Sequence, residues 1–107
     1  MTKPEIFQVA TTTGNRDEAD RIAVALVERK LAACVQISGP VSSIYRWQGK
    51  VEHSQEWVCT VKTTQTRYDE VERVIRELHS YDVPEILAVK VKTGLSDYLR
   101  WVHSEVK

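Results

Sequence analysis

Residues 78–86 read LHSYDVPEI and gather an imidazole (His79), a phenol (Tyr81) and two carboxylates (Asp82 and Glu85) in one short connection. A nitrogen with one or two carboxylate oxygens suits copper(II), zinc and other borderline divalent ions. His79 falls at the end of a helical apolar pattern, where the negative end of the helix dipole favours a cation or a protonated imidazole. Taken alone, a histidine on the edge of an apolar face more often packs or caps than ligates. Glu85, fixed by Pro84 and three residues beyond Asp82, opens the next strand, so its carboxylate can converge with His79. Two or three such ligands bind an ion loosely unless a second subunit adds more. The other histidines, at 53 and 103, share no helical turn with His79, so any fuller site must be assembled across elements or across chains.

A second group is Tyr45, Trp47, Lys62, Tyr81 and Trp101. Aromatic rings with a lysine can line a pocket for a small anionic molecule. The same rings serve in interfaces, where the ring is buried and its polar atom reaches a partner. Nothing catalytic accompanies either group. The four glycines form neither a P-loop nor a dinucleotide fingerprint, and no Gly-x-Ser-x-Gly or His-Glu-x-x-His stretch is present. Glu52 and Glu56 read as solvated charges on a polar ribbon rather than an acid/base pair, so the expectation is a protein that is not an enzyme. Cys34 and Cys59 lie in apolar runs without metal-ligand spacing and read as small hydrophobes.

The elements that must position these groups follow from periodicity. Glu5 to Ala10, ending in three threonines, reads as a strand. Asn15 with Glu18 makes a capping box for a helix over about 16–30, with Ala19, Ile22, Ala23, Leu26 and Val27 on its apolar face. Residues 35–47 and 50–64 form two arms of a long antiparallel ribbon turning at Gln48-Gly49, with Gly39-Pro40 marking a bulge or bend. Thr66 with Asp69 caps a second helix ending near His79. Residues 86–92 alternate as a fourth strand, and Ser96-Asp97 opens a final helix. The fold class is therefore α+β: a ferredoxin-like β-α-β-β-α-β sandwich with an extended β-hairpin and a C-terminal helix, in one domain over residues 1–107.

The ribbon does not fit a lone copy. About 15 residues at 3.3 Å reach roughly 50 Å, whereas a globule of this length is only about 34 Å across. A projecting strand exposes backbone groups and apolar side chains such as Ile44 and Tyr45, which proteins pair or cover, so the chain is expected to associate with itself. Composition sets the outer limits. With 42% hydrophobic and 28% charged residues the chain is globular, and fifteen Lys plus Arg balance fifteen Asp plus Glu, so no overall field draws it to nucleic acid or an anionic membrane. No membrane-length apolar run and no signal-peptide segment is seen, which makes the cytoplasm the expected address, with both cysteines reduced.

Five stretches in register, IAVALVERKLAACVQ, IYRWQGKVE, VKTT, HSYDVPEI and YLRWV, resemble the CutA divalent-cation tolerance family over about residues 6–103. The resemblance implies a homotrimer built by pairing long hairpin strands, similar in plan to the PII signalling proteins. It also implies a role in tolerance of copper and other divalent ions, with no established enzymatic activity, and an alternative use of the scaffold in signalling or assembly. The family's proposed copper ligands carry over in part: His79 and Glu85 match, while Leu78, Ser80 and Thr11 stand where the family has histidine, proline and cysteine. Copper(II) bound through His79 and Glu85 at clefts between subunits, with Asp82 or a neighbour's residue assisting, is the resulting expectation.

Overall fold

The computed structural model describes residues 3–107. Its elements are β1 (Ile6–Thr13), α1 (Arg16–Glu28), β2 (Cys34–Trp47), β3 (Lys50–Thr64), α2 (Tyr68–Leu78), β4 (Ile86–Lys90) and α3 (Ser96–Glu105). All pairings are antiparallel, in the order β2-β3-β1-β4. That is the ferredoxin-like sandwich expected from the pattern, with β1 running through the three threonines to Thr13.

Strand side chains alternate between the two sheet faces. Val9, Thr11 and Thr13 of β1 and their β3 neighbours Cys59, Val61 and Thr63 are buried beneath α1 and α2. There Ile22, Leu26, Val71, Val74 and Ile75 complete the main core. On the opposite face α3 covers one corner, packing Val102 and Val106 against Ile6 and Ala33. The rest of that face stays bare: Leu87 and Val89, which pair with Ala10 and Gln8, are 61% and 60% exposed.

Two helix starts differ from expectation. Asn15 Oδ1 accepts from the Glu18 amide at 2.8 Å, but the Glu18 side chain does not return to close a capping box. α2 is preceded by a 3-10 turn, Gln65–Arg67, and no side chain caps it, so Thr66 is not its cap. The tighter turn uses i to i+3 backbone bonds where a cap would otherwise be needed.

The β2–β3 ribbon turns at Gln48 and Gly49, whose φ of 50° and 80° are those of a tight primed hairpin turn. At Gly39-Pro40 the register shifts: Ser38 pairs with Val58, but Val41 pairs with Glu56. Three steps on β2 thus oppose two on β3, a one-residue bulge. Before it Cys34, Gln36 and Ser38 share a face with Lys62, Thr60 and Val58; after it Val41, Ser43, Tyr45 and Trp47 share that face with Glu56, Ser54, Glu52 and Lys50. The molecule measures 49 × 25 × 22 Å, its long axis about twice the others, as the overhang argument required. Beyond the bulge Ile44, Tyr45, Trp47 and Val51 are exposed, and β2 is an edge strand.

Candidate functional site

The link between α2 and β4 folds back against β1 and the ribbon, and a buried carboxylate holds it there. Glu18 is 1% exposed, and its two oxygens accept from the Ser80 amide and, at 3.1 Å, from the Ser80 hydroxyl. Glu18 reaches this place because positions 18, 22 and 26 lie one turn apart on the face of α1 that carries Ile22 and Leu26. That spacing was the signal for its burial, masked by its simultaneous fit to a capping box.

His79 lies just past α2 with an extended backbone, and its side chain turns inward, fully buried. Its Nε2 is 2.7 Å from the carbonyl oxygen of Thr12. A carbonyl only accepts, so Nε2 carries the hydrogen and the ring is the Nε2–H tautomer if neutral. Nδ1 in turn accepts from the Tyr81 amide at 3.1 Å, which requires its lone pair. Both ring nitrogens are thus engaged in fastening the link to β1. The Tyr81 ring stacks at a tilt on His79, centroids 4.8 Å apart.

Tyr81 carries the link across to the ribbon. Its hydroxyl donates to Glu56 Oε2 at 2.9 Å. Glu56 is therefore no solvated strand charge: it is 8% exposed and lies on the cleft side of the ribbon. Burial, then the hydrogen bond and charge of Glu56, push the Tyr81 hydroxyl up to about 12. Gly14 lets the phenol come this near, since a Cβ there would stand 3.1 Å from the Tyr81 oxygen.

These contacts enclose a cleft of about 500 Å³ between the ribbon and the link. Tyr45, Trp47, Glu56, Tyr81, Asp82 and Glu85 all line it, so three carboxylates and three aromatic rings face one space. The remaining expected members lie elsewhere. His79 lines a different hollow, of about 450 Å³, with Arg73 and Arg76. Lys62 pairs with Cys34 at the far end of the ribbon and its Nζ donates to Gln36 Oε1 at 2.6 Å. Trp101 belongs to α3 and packs against Tyr98 with centroids 5.6 Å apart. Thr11 is buried on the helix side of the sheet, its hydroxyl without a partner, so that position does not open on the cleft. Among the described residues, no three His, Cys, Asp or Glu side chains stand together as a metal-ion group. No helix among them is long and apolar enough to cross a membrane.

Comparison with known proteins fits this architecture. Residues 7–105 match the family model described as CutA1 divalent ion tolerance protein. The chain is 44% identical over 94 residues to the divalent-cation tolerance protein CutA of Thermus thermophilus, covering 88% of this chain and 91% of that protein. It is 40% identical over 96 residues to the protein of the same name from Archaeoglobus fulgidus, covering 90% and 93%. The solved structure of the Archaeoglobus protein, described as periplasmic, superposes with a TM-score of 0.92 at 37% identity, covering 95% of this chain and 99% of that one. The Arabidopsis thaliana relative, named chloroplastic, is 35% identical over 99% of this chain and 58% of its own length, so the relatives' names point to more than one compartment. With near-complete family coverage, sequence identity well above 30% and a shared fold, the chain belongs to the CutA1 divalent ion tolerance family.

Proposed function

We propose that the protein serves divalent-cation tolerance as a homotrimer whose inter-subunit clefts receive a divalent ion through carboxylate oxygens. One observation carries the reading: Glu56, Asp82 and Glu85 line a single cleft beside the unpaired β2 edge. The three do not converge as a ligand group within one chain, so a dication in the cleft would draw on some of these oxygens together with donors from a neighbouring copy. The exposed β2 edge and the bare face bearing Leu87 and Val89 favour pairing with further copies, which would close the cleft and add donors. The cytoplasm is the setting this reading assumes, and both cysteines are free thiols.

Within this reading Glu85 is a ligand and His79 is a brace. Copper(II) would have to take Nδ1 of His79 away from the Tyr81 amide, whereas an oxygen set suits harder ions such as manganese(II). Sedimentation velocity is expected to give a trimer that Tyr45→Glu dissociates. Calorimetry with manganese(II) and copper(II) is expected to show Glu85→Gln weakening binding by about tenfold, roughly 1.4 kcal/mol. A monomeric wild type, or equal affinity in wild type and Glu85→Gln, overturns the proposal.

A second reading is favoured by Tyr45, Trp47 and Tyr81 in the same cleft. The space is of the size that holds small organic ligands, so a metabolite or partner side chain could occupy it without metal, as in a signalling or assembly scaffold. Retention of one such ligand in the presence of a strong chelator distinguishes the two.

A further inference from the structure

A second hollow, of about 490 Å³, shares no residue with the cleft. Lys3, Arg67, Arg100, His103 and Lys107 line it, and no Asp or Glu side chain does. In a chain whose charges balance, that is a local excess of one sign.

The hollow is held by fixed contacts. The Gln65 amide donates to the Glu5 carbonyl at 2.8 Å, drawing the segment before β1 against the 3-10 turn. Buried Val102 and Val106 pin the last turns of α3 beside it. Arg67 binds Glu70 Oε2 through Nη2 at 3.3 Å, while its Nε is buried and has no hydrogen-bond partner. Arg100 is held by Asp97. Lys3 and Lys107 make no ion pair among the described residues. Asp69 and Glu70 occupy the first turn of α2, but neither faces this space.

We infer that this hollow binds a phosphate group, free or as the terminal group of a small phosphomonoester. Lys3 and Lys107, which carry no carboxylate partner among the described residues, together with Arg67 and Arg100, each shared with one carboxylate, leave a net of two positive charges, which matches a dianion better than a monoanion. Guanidinium forks fit phosphate oxygens with paired hydrogen bonds, and Nε is one of the donors of such a fork. The Thr66 hydroxyl adds a neutral donor, while that of Ser104 is engaged with the Trp101 carbonyl at 2.8 Å. Pro4 and Val106 supply a small apolar wall for an esterified group.

Calorimetry of the full chain with inorganic phosphate, glycerol phosphate and succinate tests this. Both phosphates are expected to bind with dissociation constants below about 1 mM, and succinate at least about tenfold more weakly. Tighter binding of the ester assigns the site to a metabolite, and tighter binding of the free ion assigns it to phosphate itself. Arg67→Gln with His103→Gln is expected to weaken phosphate by about tenfold or more. Thr66→Glu, at an exposed position outside the core, sets a carboxylate in the hollow and is expected to abolish binding without unfolding the chain. Glu85→Gln is expected to leave phosphate affinity unchanged, which separates this site from the cleft. Undetectable phosphate binding at about 10 mM, equal binding of succinate, or full affinity in Thr66→Glu overturns the inference.

Discussion

The hydroxyl of Tyr81 donates to Glu56 Oε2 at 2.9 Å, so a link residue and a ribbon residue, 25 positions apart, share one proton-bearing contact. The contact has a pH signature. A tyrosine titrates near 10 when unfolded, and here burial and Glu56 raise it to about 12. Because the folded state keeps its proton where the unfolded state releases it, the contribution is complete below about 10 and decays as pH rises towards about 12. Tyr81→Phe should therefore unfold at lower urea than wild type near neutral pH. The gap should close as the solution approaches pH 12, measured at one fixed protein concentration because association also contributes.

Glu18 is the fastening of the link to α1. Glu18→Ala would leave the Ser80 amide and hydroxyl without their acceptor, at about 1–3 kcal/mol for each group that remains buried. Ser80 is an exposed residue and water can take up part of the loss, so the expected effect is about 1–3 kcal/mol, read as a lower denaturation midpoint with an unchanged slope. Glu18→Gln keeps one acceptor oxygen and should lose about half as much. Equal stability of Glu18→Ala and wild type would contradict the role given to this carboxylate.

The tautomer of His79 can be read directly. Long-range proton–nitrogen correlation spectra should show hydrogen on Nε2 and a lone pair on Nδ1, as its bonds to Thr12 and the Tyr81 amide require. Adding manganese(II) should broaden signals around Glu85 before those of His79. A signal pattern with hydrogen on Nδ1 instead would dismantle the brace.

Cys59 is fully buried and its thiol is pushed up to about 11, first by burial and then by the charge of Asp20. The thiolate is the reactive form. An aromatic disulfide reagent at pH 8 should therefore leave Cys59 unmodified in the folded protein and label it only on denaturation. Rapid labelling of Cys59 under native conditions would mean that the sheet–helix core opens far more readily than its packing implies.

Most of the frame was legible from periodicity, because a 3.6-residue apolar stripe and a two-residue alternation are properties of the chain itself. Ile22 and Leu26 announced α1, and Gln48-Gly49 announced the hairpin. The site was harder, because its members meet through side-chain rotations that no spacing encodes. His79 stood at a helix end and read as a metal donor, yet its ring turns inward to Thr12. Glu56 sat among polar ribbon residues, and only the arrival of Tyr81 from a distant link explains its burial. Lys62 and Trp101 shared a chemistry with Tyr45 and Trp47 but not a location, since β-strand register, not residue type, sets what meets in space.

The extra residue at Gly39-Pro40 makes sidedness in the ribbon a matter of odd and even. Removing one residue there would let two steps oppose two, so Val41 would still meet Glu56 and Tyr45 and Trp47 would keep their direction. Losing one residue from the regular stretch between Val41 and Trp47 would instead turn the residues on one side of the gap to the opposite face. The bulge is thus a spare place in the ribbon, where a length change is absorbed that the flanking stretches would register as inside-out.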